Sequence, residues 1–279
     1  MKRGLRKSQV TVYVIIGLVV VIAALGLVYM KYLRQKAELD RQFFASSDIK
    51  PKVTNIQASV IDCSKDTVKN ALYVIGIKGG YYNSTPDSYM DLGWVIIPYY
   101  YYEGDVNYPS KQDIEKELEN FVDDEIKYCL NELDFSGFNV TYNEPKTKVI
   151  IKDREVYFNT DLTFEIEREG HKLYYELKDY PVTQNSELDA MLDIASYYTD
   201  SHKEDPELYC ITCVSEMAEK NNLYVDVINV VDDSTLIVIS ENHTSPEPYS
   251  FEFLNKYTGN ERTPEIPQGE PAPSPFGEV

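Results

Sequence analysis

The chain has few histidines and lacks several of the sequence motifs that mark enzyme active sites. Its three histidines, His171, His202 and His243, have no partners at metal-ligand spacing, so we interpret them as solvated loop residues. The nucleophile elbow, the P-loop, the HExxH zinc motif, the EF-hand loop and a dinucleotide fingerprint are all missing. We therefore predict no catalytic residue, no metal site and no cofactor.

Basic residues are scarce after the first part of the chain. The net charge is −19, and every charged residue before position 37 is basic, so the remainder is more acidic still. Such a domain repels phosphate backbones and anionic lipid surfaces. This charge argues against nucleic acid as a partner. Basic proteins, cations or a high-salt surrounding fit it better, and simple solubility is the plainer interpretation.

No charged residue occurs between Val10 and Met30. A helix that spans a bilayer needs about 20 such residues. A cleaved secretory signal has a shorter apolar core followed by a small-residue cleavage site, whereas this run continues into Lys31 and a polar, helix-like stretch. We therefore predict a retained transmembrane helix over residues 10–30, with the lipid bilayer as its partner.

Three features favour an extracytoplasmic location for the C-terminal part. It contains four cysteines, an even number, and it is rich in tyrosine and acidic residues. It also carries three N-x-S/T sequons, at Asn83, Asn139 and Asn242, which are candidate glycosylation sites. The positive-inside bias adds little, because four basic residues precede the span and three follow it.

The predicted organisation is one anchor and one large folded region. The ectodomain is a single domain, or two subdomains that divide near residue 184. The segments are a basic cytoplasmic tail (1–9), the transmembrane helix (10–30), a juxtamembrane stalk (31–52), the ectodomain (53–262) and a disordered proline-rich tail (263–279).

Apolar stripes at helical spacing predict several helices in the ectodomain. Ser110, with Asp113 three residues later, is typical of a capping box, and Gly79-Gly80 is expected to end the preceding helix. The predicted helices are Val53–Ile77, Lys111–Leu130, a segment that follows Ser186, and Glu207–Lys220.

Alternating apolar residues predict strands between and after these helices. The strands come in blocks rather than in βαβ alternation, so the predicted class is α+β, with helices packed on antiparallel hairpins. Pro98 is expected to make the first strand an edge or a bend. The predicted strands are residues 94–102, an alternating run over 156–166 that returns after Glu169-Gly170 through 173–177, a hairpin of 223–230 with 235–239, and a last strand at 251–253.

The four cysteines are candidates for two disulfides. Cys63 and Cys129 each lie on the apolar stripe of a predicted helix, and we favour a bond between them; Cys210 and Cys213 would then close a local loop. Sequence alone leaves all three connectivities open. A redox role for the CxxC would need a thioredoxin-like βαβ setting, and a zinc site would need two more ligands.

Tyrosine and paired acids are the remaining unusual features. Tyr99, Tyr100, Tyr101 and Tyr102 are candidates for a recognition surface for protein or glycan, and the alternative is a strand with one buried and one solvated face. The pairs Asp123-Asp124 and Asp232-Asp233 could serve acid–base chemistry or a weak calcium site. Chance placement among 46 acids explains them equally well.

Two resemblances follow from particular segments. Lys2-Arg3-Gly4 before an apolar helix resembles the class III signal peptides of type IV pilin-like proteins, although the early acidic residue of bacterial pilins is absent. The segments around Cys63 through Gly79-Gly80, the helix that ends in Cys129, and Cys210 to Cys213 with Phe251-x-Phe253 resemble an uncharacterised group of archaeal surface proteins. The resemblance implies no particular activity.

The leading functional hypothesis is a non-catalytic, membrane-anchored cell-surface protein in adhesion, envelope structure or complex assembly. Its expected partners are other envelope proteins or further copies of the chain. The alternatives are a pilin-like filament subunit, a membrane-tethered CxxC thiol oxidoreductase or hydrolase, and an accessory subunit of a membrane complex.

Overall fold

The computed structural model describes residues 6–204, 211–230, 234–241 and 249–256. The chain divides into two compact units that interleave along the sequence. Unit 1 contains Met1–Ser59, Asp134–Asn143 and Thr163–Tyr175, and unit 2 contains Val60–Leu133, Glu144–Leu162 and Glu176–Val279. The chain therefore passes between the units several times, the last time between Tyr175 and Glu176.

Five α-helices lie in the described part of the chain. The predicted stalk over residues 31–52 is helical as far as Phe44, turns over residues 45–49, and enters the next helix at Lys50. The helices are α1 (Arg6–Phe44), α2 (Lys50–Ile77), α3 (Lys111–Glu132), α4 (Leu188–Glu204) and α5 (Ile211–Lys220).

The predicted capping box at the start of α3 is confirmed. Ser110 Oγ accepts a hydrogen bond from the backbone N–H of Asp113 at 3.2 Å. The carboxylate of Asp113 in turn accepts one from the backbone N–H of Ser110 at 3.0 Å. Two amides that the first helical turn leaves without intrahelical partners are thereby satisfied.

The strands of the described residues form three sheets. One has the order β1-β2-β12-β11-β10, with β3 also paired to β2; the others have the orders β4-β7-β8 and β5-β6-β9. The strands are β1 (Tyr89–Asp91), β2 (Ile96–Tyr102), β3 (Asp105–Val106), β4 (Asn139–Tyr142), β5 (Lys146–Lys152), β6 (Glu155–Asp161), β7 (Thr163–Arg168), β8 (His171–Glu176), β9 (Val182–Asn185), β10 (Leu223–Asn229), β11 (Ser234–Glu241) and β12 (Ser250–Lys256).

Two predicted hairpins are confirmed, and one predicted run divides. The β7–β8 hairpin turns at Glu169 and Gly170, whose φ angles are 54° and 81°, and β10 pairs with β11 antiparallel. The period-two run over 156–166 is instead two strands in different sheets, separated at the buried Leu162. Apolar and polar residues alternate in both strands because each strand has one buried face. This alternation does not indicate which sheet each strand joins.

Unit 1 combines the C-terminal part of α1, the start of α2 and the sheet β4-β7-β8. Side chains from all three pack in one apolar cluster. Its members are Phe44, Ile49, Val53, Ile56 and Ile166, with Phe43, Phe135, Phe138, Val140 and Leu173 packed against them.

Unit 2 has a larger core between its sheets and helices. Buried residues of α2, α3 and α4 pack with apolar side chains from β2, β5, β6, β11 and β12. Strands β2 and β12 pair in parallel, with a bulge between Leu254 and Asn255. The predicted strand at Phe251 and Phe253 is confirmed, and both side chains are fully buried.

The predicted end of α2 at Gly79-Gly80 is also confirmed, and its cause is visible. Both glycines have positive φ, 52° and 89°, a region that costs other residues free energy. A Cβ on Gly79 would lie 2.5 Å from the ring of Pro98, and one on Gly80 would lie 2.9 Å from Ile114. Glycine at these two positions therefore lets the end of α2 pass close to Pro98 of β2 and Ile114 of α3.

Candidate functional site

The N-terminal part of α1 is the most unusual surface in unit 1. From Tyr13 to Met30 its large apolar side chains are 50% to 73% exposed. Among the described residues, this is the one helix long and apolar enough to span a membrane. Its 39 residues correspond to about 58 Å at 1.5 Å per residue, and the apolar part matches a hydrocarbon core of about 30 Å.

The polar part of α1 is held to its own unit by Asp40 and Phe43. Asp40 Oδ1 lies 2.8 Å from Nδ1 of His171 at the start of β8. The ring of Phe43 stacks on the His171 imidazole, with 4.2 Å between centroids and 18° between planes. The expectation that His171 is a solvated loop residue is therefore wrong, because tertiary packing brings it a partner 131 residues away. The side chain of His202 and all of His243 lie outside the described residues.

The structure brings together Cys63 and Cys129, the pair that the sequence analysis favours. Their sulfurs are 2.06 Å apart and their Cα atoms 5.9 Å apart, so a disulfide links α2 to α3 within unit 2. Cys213, in α5, is also in a disulfide. Cys210 lies outside the described residues.

The prediction that four consecutive tyrosines form a recognition surface is wrong for three of them. Tyr99, Tyr100 and Tyr101 are 7%, 2% and 3% exposed, and Tyr102 is half-buried. Strand β2 is not an edge, because β1 and β3 pair on one side of it and β12 on the other. Successive side chains of a strand point to opposite faces of the sheet. Both faces are covered here, as in central strands, so successive tyrosines are buried.

Two of the three candidate glycosylation asparagines lie in the described residues. Asn83 is exposed in the loop after α2, and its side chain lies 3.4 Å from an Asp124 oxygen. Asn139 is exposed at the start of β4, which is an edge strand of its sheet. Asn242 lies outside the described residues.

The loop that contains Asn83 is organised by the carboxylate of Glu117, on α3. Glu117 accepts hydrogen bonds from the backbone N–H groups of Tyr82, Asn83 and Ser84 at 2.9, 2.7 and 3.3 Å, and also one from the Ser84 hydroxyl. Sequence analysis missed Glu117. Its position between Ile114 and Phe121 on the buried stripe of α3 could have identified it, because a buried carboxylate requires hydrogen-bond donors.

Beside this loop lies a cleft of about 570 Å³ in unit 2. Burial, followed by Asp87, Asp113 and Glu117, raises the pKa of Tyr81 to about 12, and its hydroxyl donates to the Asn107 carbonyl at 3.3 Å. The lining residues are Gly80, Tyr81, Ser84, Thr85, Pro86, Asp87, Val106, Asn107, Tyr108, Pro109, Asp113, Lys116 and Glu117.

Several polar groups of this cleft are already committed to bonds within unit 2. Asp113 caps α3, Glu117 holds the loop after α2, and the Tyr108 hydroxyl donates to Asp200 at 2.9 Å. Lys116 Nζ lies 3.0 Å from Glu119. These bonds stabilise the walls of the cleft.

No family model, curated protein or solved structure matches this chain.

The acid pairs that the sequence analysis considered also have structural partners. Asp123 Oδ1 accepts a hydrogen bond from the Thr147 backbone amide at 2.7 Å, which ties α3 to β5. Burial raises the pKa of Asp123, whereas Asp124 faces Asn83. Adjacent positions on α3 therefore serve different contacts. Asp232 and Asp233 lie outside the described residues.

Proposed function

We propose that this chain is a non-catalytic, membrane-anchored surface protein that acts in adhesion, envelope structure or complex assembly. The apolar part of α1 is its anchor, and the acidic unit 2 lies outside the cytoplasm. Its partners are other envelope proteins, further copies of the chain, or subunits of a membrane complex.

The observation that carries the proposal is a disulfide in the same chain as a helix whose apolar N-terminal part is exposed. An exposed helix of this length is unfavourable in water and favourable in a bilayer. The Cys63–Cys129 disulfide favours an oxidising compartment, because the cytoplasm keeps thiols reduced. Together they support a retained anchor with an exported C-terminal part.

The non-catalytic part of the proposal is supported by the bonds of the acidic side chains. Glu117, Asp113 and Asp123 each accept backbone hydrogen bonds that order a loop, a helix start or a strand. Carboxylates used in this way are held in one position by backbone N–H groups, which suits a structural role more than proton transfer.

The proposal is tested on the native protein in intact cells and isolated membranes. We expect the chain to remain in the membrane after alkaline carbonate extraction, and externally added protease to cleave unit 2. Non-reducing peptide mass spectrometry should recover the peptide containing Cys63 linked to that containing Cys129. Free thiols together with protection from external protease would place the acidic part in the cytoplasm instead.

A pilin-like filament subunit is a second candidate, favoured by the continuity of α1. One unbroken helix carries both the exposed apolar residues and the residues that pack in unit 1, a form suited to bundling in a filament core. Removal of Met1 to Gly4 from the mature protein, and sedimenting filaments, would support this candidate. An intact N-terminus with monodisperse particles in detergent would exclude it.

A further inference from the structure

The β1–β2 hairpin in unit 2 presents apolar side chains to solvent, with Leu92 and Trp94 at its tip and Tyr89 at the start of β1. Trp94, the single tryptophan of the chain, is 79% exposed, and Leu92 and Tyr89 are 45% and 44% exposed. Trp94 is the most exposed of the large apolar residues for which the structure describes a side chain, including those of α1.

This exposure comes from an ordered turn. The backbone amide of Leu92 donates to the Val95 carbonyl at 3.0 Å, and that of Gly93 donates to Asp91 Oδ1 at 2.7 Å. Gly93 has a φ of 83°, which suits glycine. The buried Val95 packs with Ile97, Tyr99 and Leu254 just beneath the tip. The fold therefore holds Trp94 and Leu92 in water at a cost in hydration free energy.

The small apolar area of the tip favours a lipid bilayer over a protein as its partner. A stable protein interface buries about 800 Å² on each side, which is far more than three side chains supply. A bilayer interface instead accepts single side chains, and tryptophan and tyrosine are enriched at the headgroup level. Asp87 and Asp91 flank the tip and disfavour anionic headgroups, so the compatible surface is zwitterionic.

We infer that the Trp94 tip is a second membrane contact, which enters the headgroup–acyl boundary of the bilayer in which α1 is anchored. This inference rests on the proposed anchoring by α1. Because α1 already tethers the chain to the bilayer, the effective concentration of lipid at the tip is high, and a weak contact is sufficient.

The single tryptophan makes the test direct, because all tryptophan emission comes from Trp94. The full chain is reconstituted in phosphatidylcholine vesicles with ordinary or brominated acyl chains. We expect about twofold lower emission in the brominated vesicles, and shielding from acrylamide, as for a residue at the acyl boundary.

Two variants control this measurement. Trp94→Phe combined with Tyr128→Trp moves the single tryptophan to α3, where Tyr128 is 67% exposed; its emission should respond to acrylamide and not to bromine. Leu92→Glu keeps Trp94 but places a charge at the tip, and should abolish most of the quenching by bromine. All three positions are exposed, so unit 2 should remain folded, which circular dichroism checks.

Three results would overturn the inference. The first is Trp94 emission that acrylamide quenches and bromine does not, in a chain that carbonate does not extract from the vesicles. The second is shielded emission that depends on protein concentration and not on bromine, which would indicate a protein contact. The third is extraction by carbonate, which would overturn the proposed anchoring as well.

Discussion

Asp40 and His171 are 131 residues apart in the sequence, and their side chains lie 2.8 Å apart in unit 1. The contact joins the end of the long N-terminal helix to the first residue of β8. Phe43 covers the imidazole from one side. The helix that carries the proposed anchor is thus attached to its sheet by a polar contact and an aromatic stack as well as by the apolar cluster.

We predict that His171→Ala loosens this attachment. The variant loses one hydrogen bond and one ring contact, each worth about 1 kcal/mol. Hydrogen exchange should become faster in β7, β8 and the end of α1. Lys36→Ala, at an exposed position of α1, is the matched control and should leave exchange unchanged. Equal protection in the two variants would show that the apolar cluster alone holds the helix.

The disulfide should account for a large part of the stability of unit 2. It closes a loop of 66 residues, and its removal restores about 4 kcal/mol of chain entropy to the unfolded state. Cys63→Ala with Cys129→Ala should therefore lower the urea midpoint substantially. Cys63→Ala alone should cause nearly the same loss, because the bond needs both residues. A double variant as stable as the oxidised wild type would contradict this prediction.

Glu117→Ala should disorder the loop after α2. The substitution leaves the amides of Tyr82, Asn83 and Ser84 without their acceptor, at a cost of about 2 to 3 kcal/mol. Denaturant unfolding measures the loss, and hydrogen exchange at residues 82–84 locates it. Glu132→Ala, at an exposed position of the same helix, is the control. If both variants unfold at the same denaturant concentration as the wild type, the loop does not depend on Glu117.

Glu119 should contribute stability that acid removes. Burial opposes its ionisation, but hydrogen bonds from Lys148, Lys116 and the Val149 amide lower the pKa of this carboxyl overall. A lowered folded pKa gives stability that is present above the ordinary value of 4.5 and is lost as pH falls through the folded pKa. Glu119→Gln should therefore be less stable than wild type at neutral pH, and the difference should shrink in acid. Urea unfolding across this pH range measures both.

Glu252 should behave in the opposite way. Burial raises its pKa, and the Ser250 hydroxyl offsets the increase only in part. The folded state then binds a proton more readily than the unfolded state, so stability is lost as pH rises through the folded pKa. Glu252→Gln should unfold at higher urea than wild type at neutral pH, with the gain disappearing below pH 4.5. Opposite signs for Glu119→Gln and Glu252→Gln are the decisive comparison.

Features that depend on neighbouring residues could be predicted from the sequence. The apolar run in α1, the capping box of Ser110 and Asp113, the break at Gly79-Gly80 and the hairpins β7–β8 and β10–β11 all rest on contacts within a few residues. Their physical causes are helix-end hydrogen bonding, backbone conformation and side-chain periodicity, which a local segment specifies.

The burial of surfaces and the pairing of distant polar groups could be read only from the folded structure. Tyr100 is buried because β12, from the other end of the chain, pairs with β2 and brings Phe253 onto its ring at 4.4 Å. The run over 156–166 divides because its two halves find different partner strands. Asp40 with His171, and Glu117 with its loop, likewise join distant segments. Such contacts depend on how elements pack, and local periodicity carries no information about that choice.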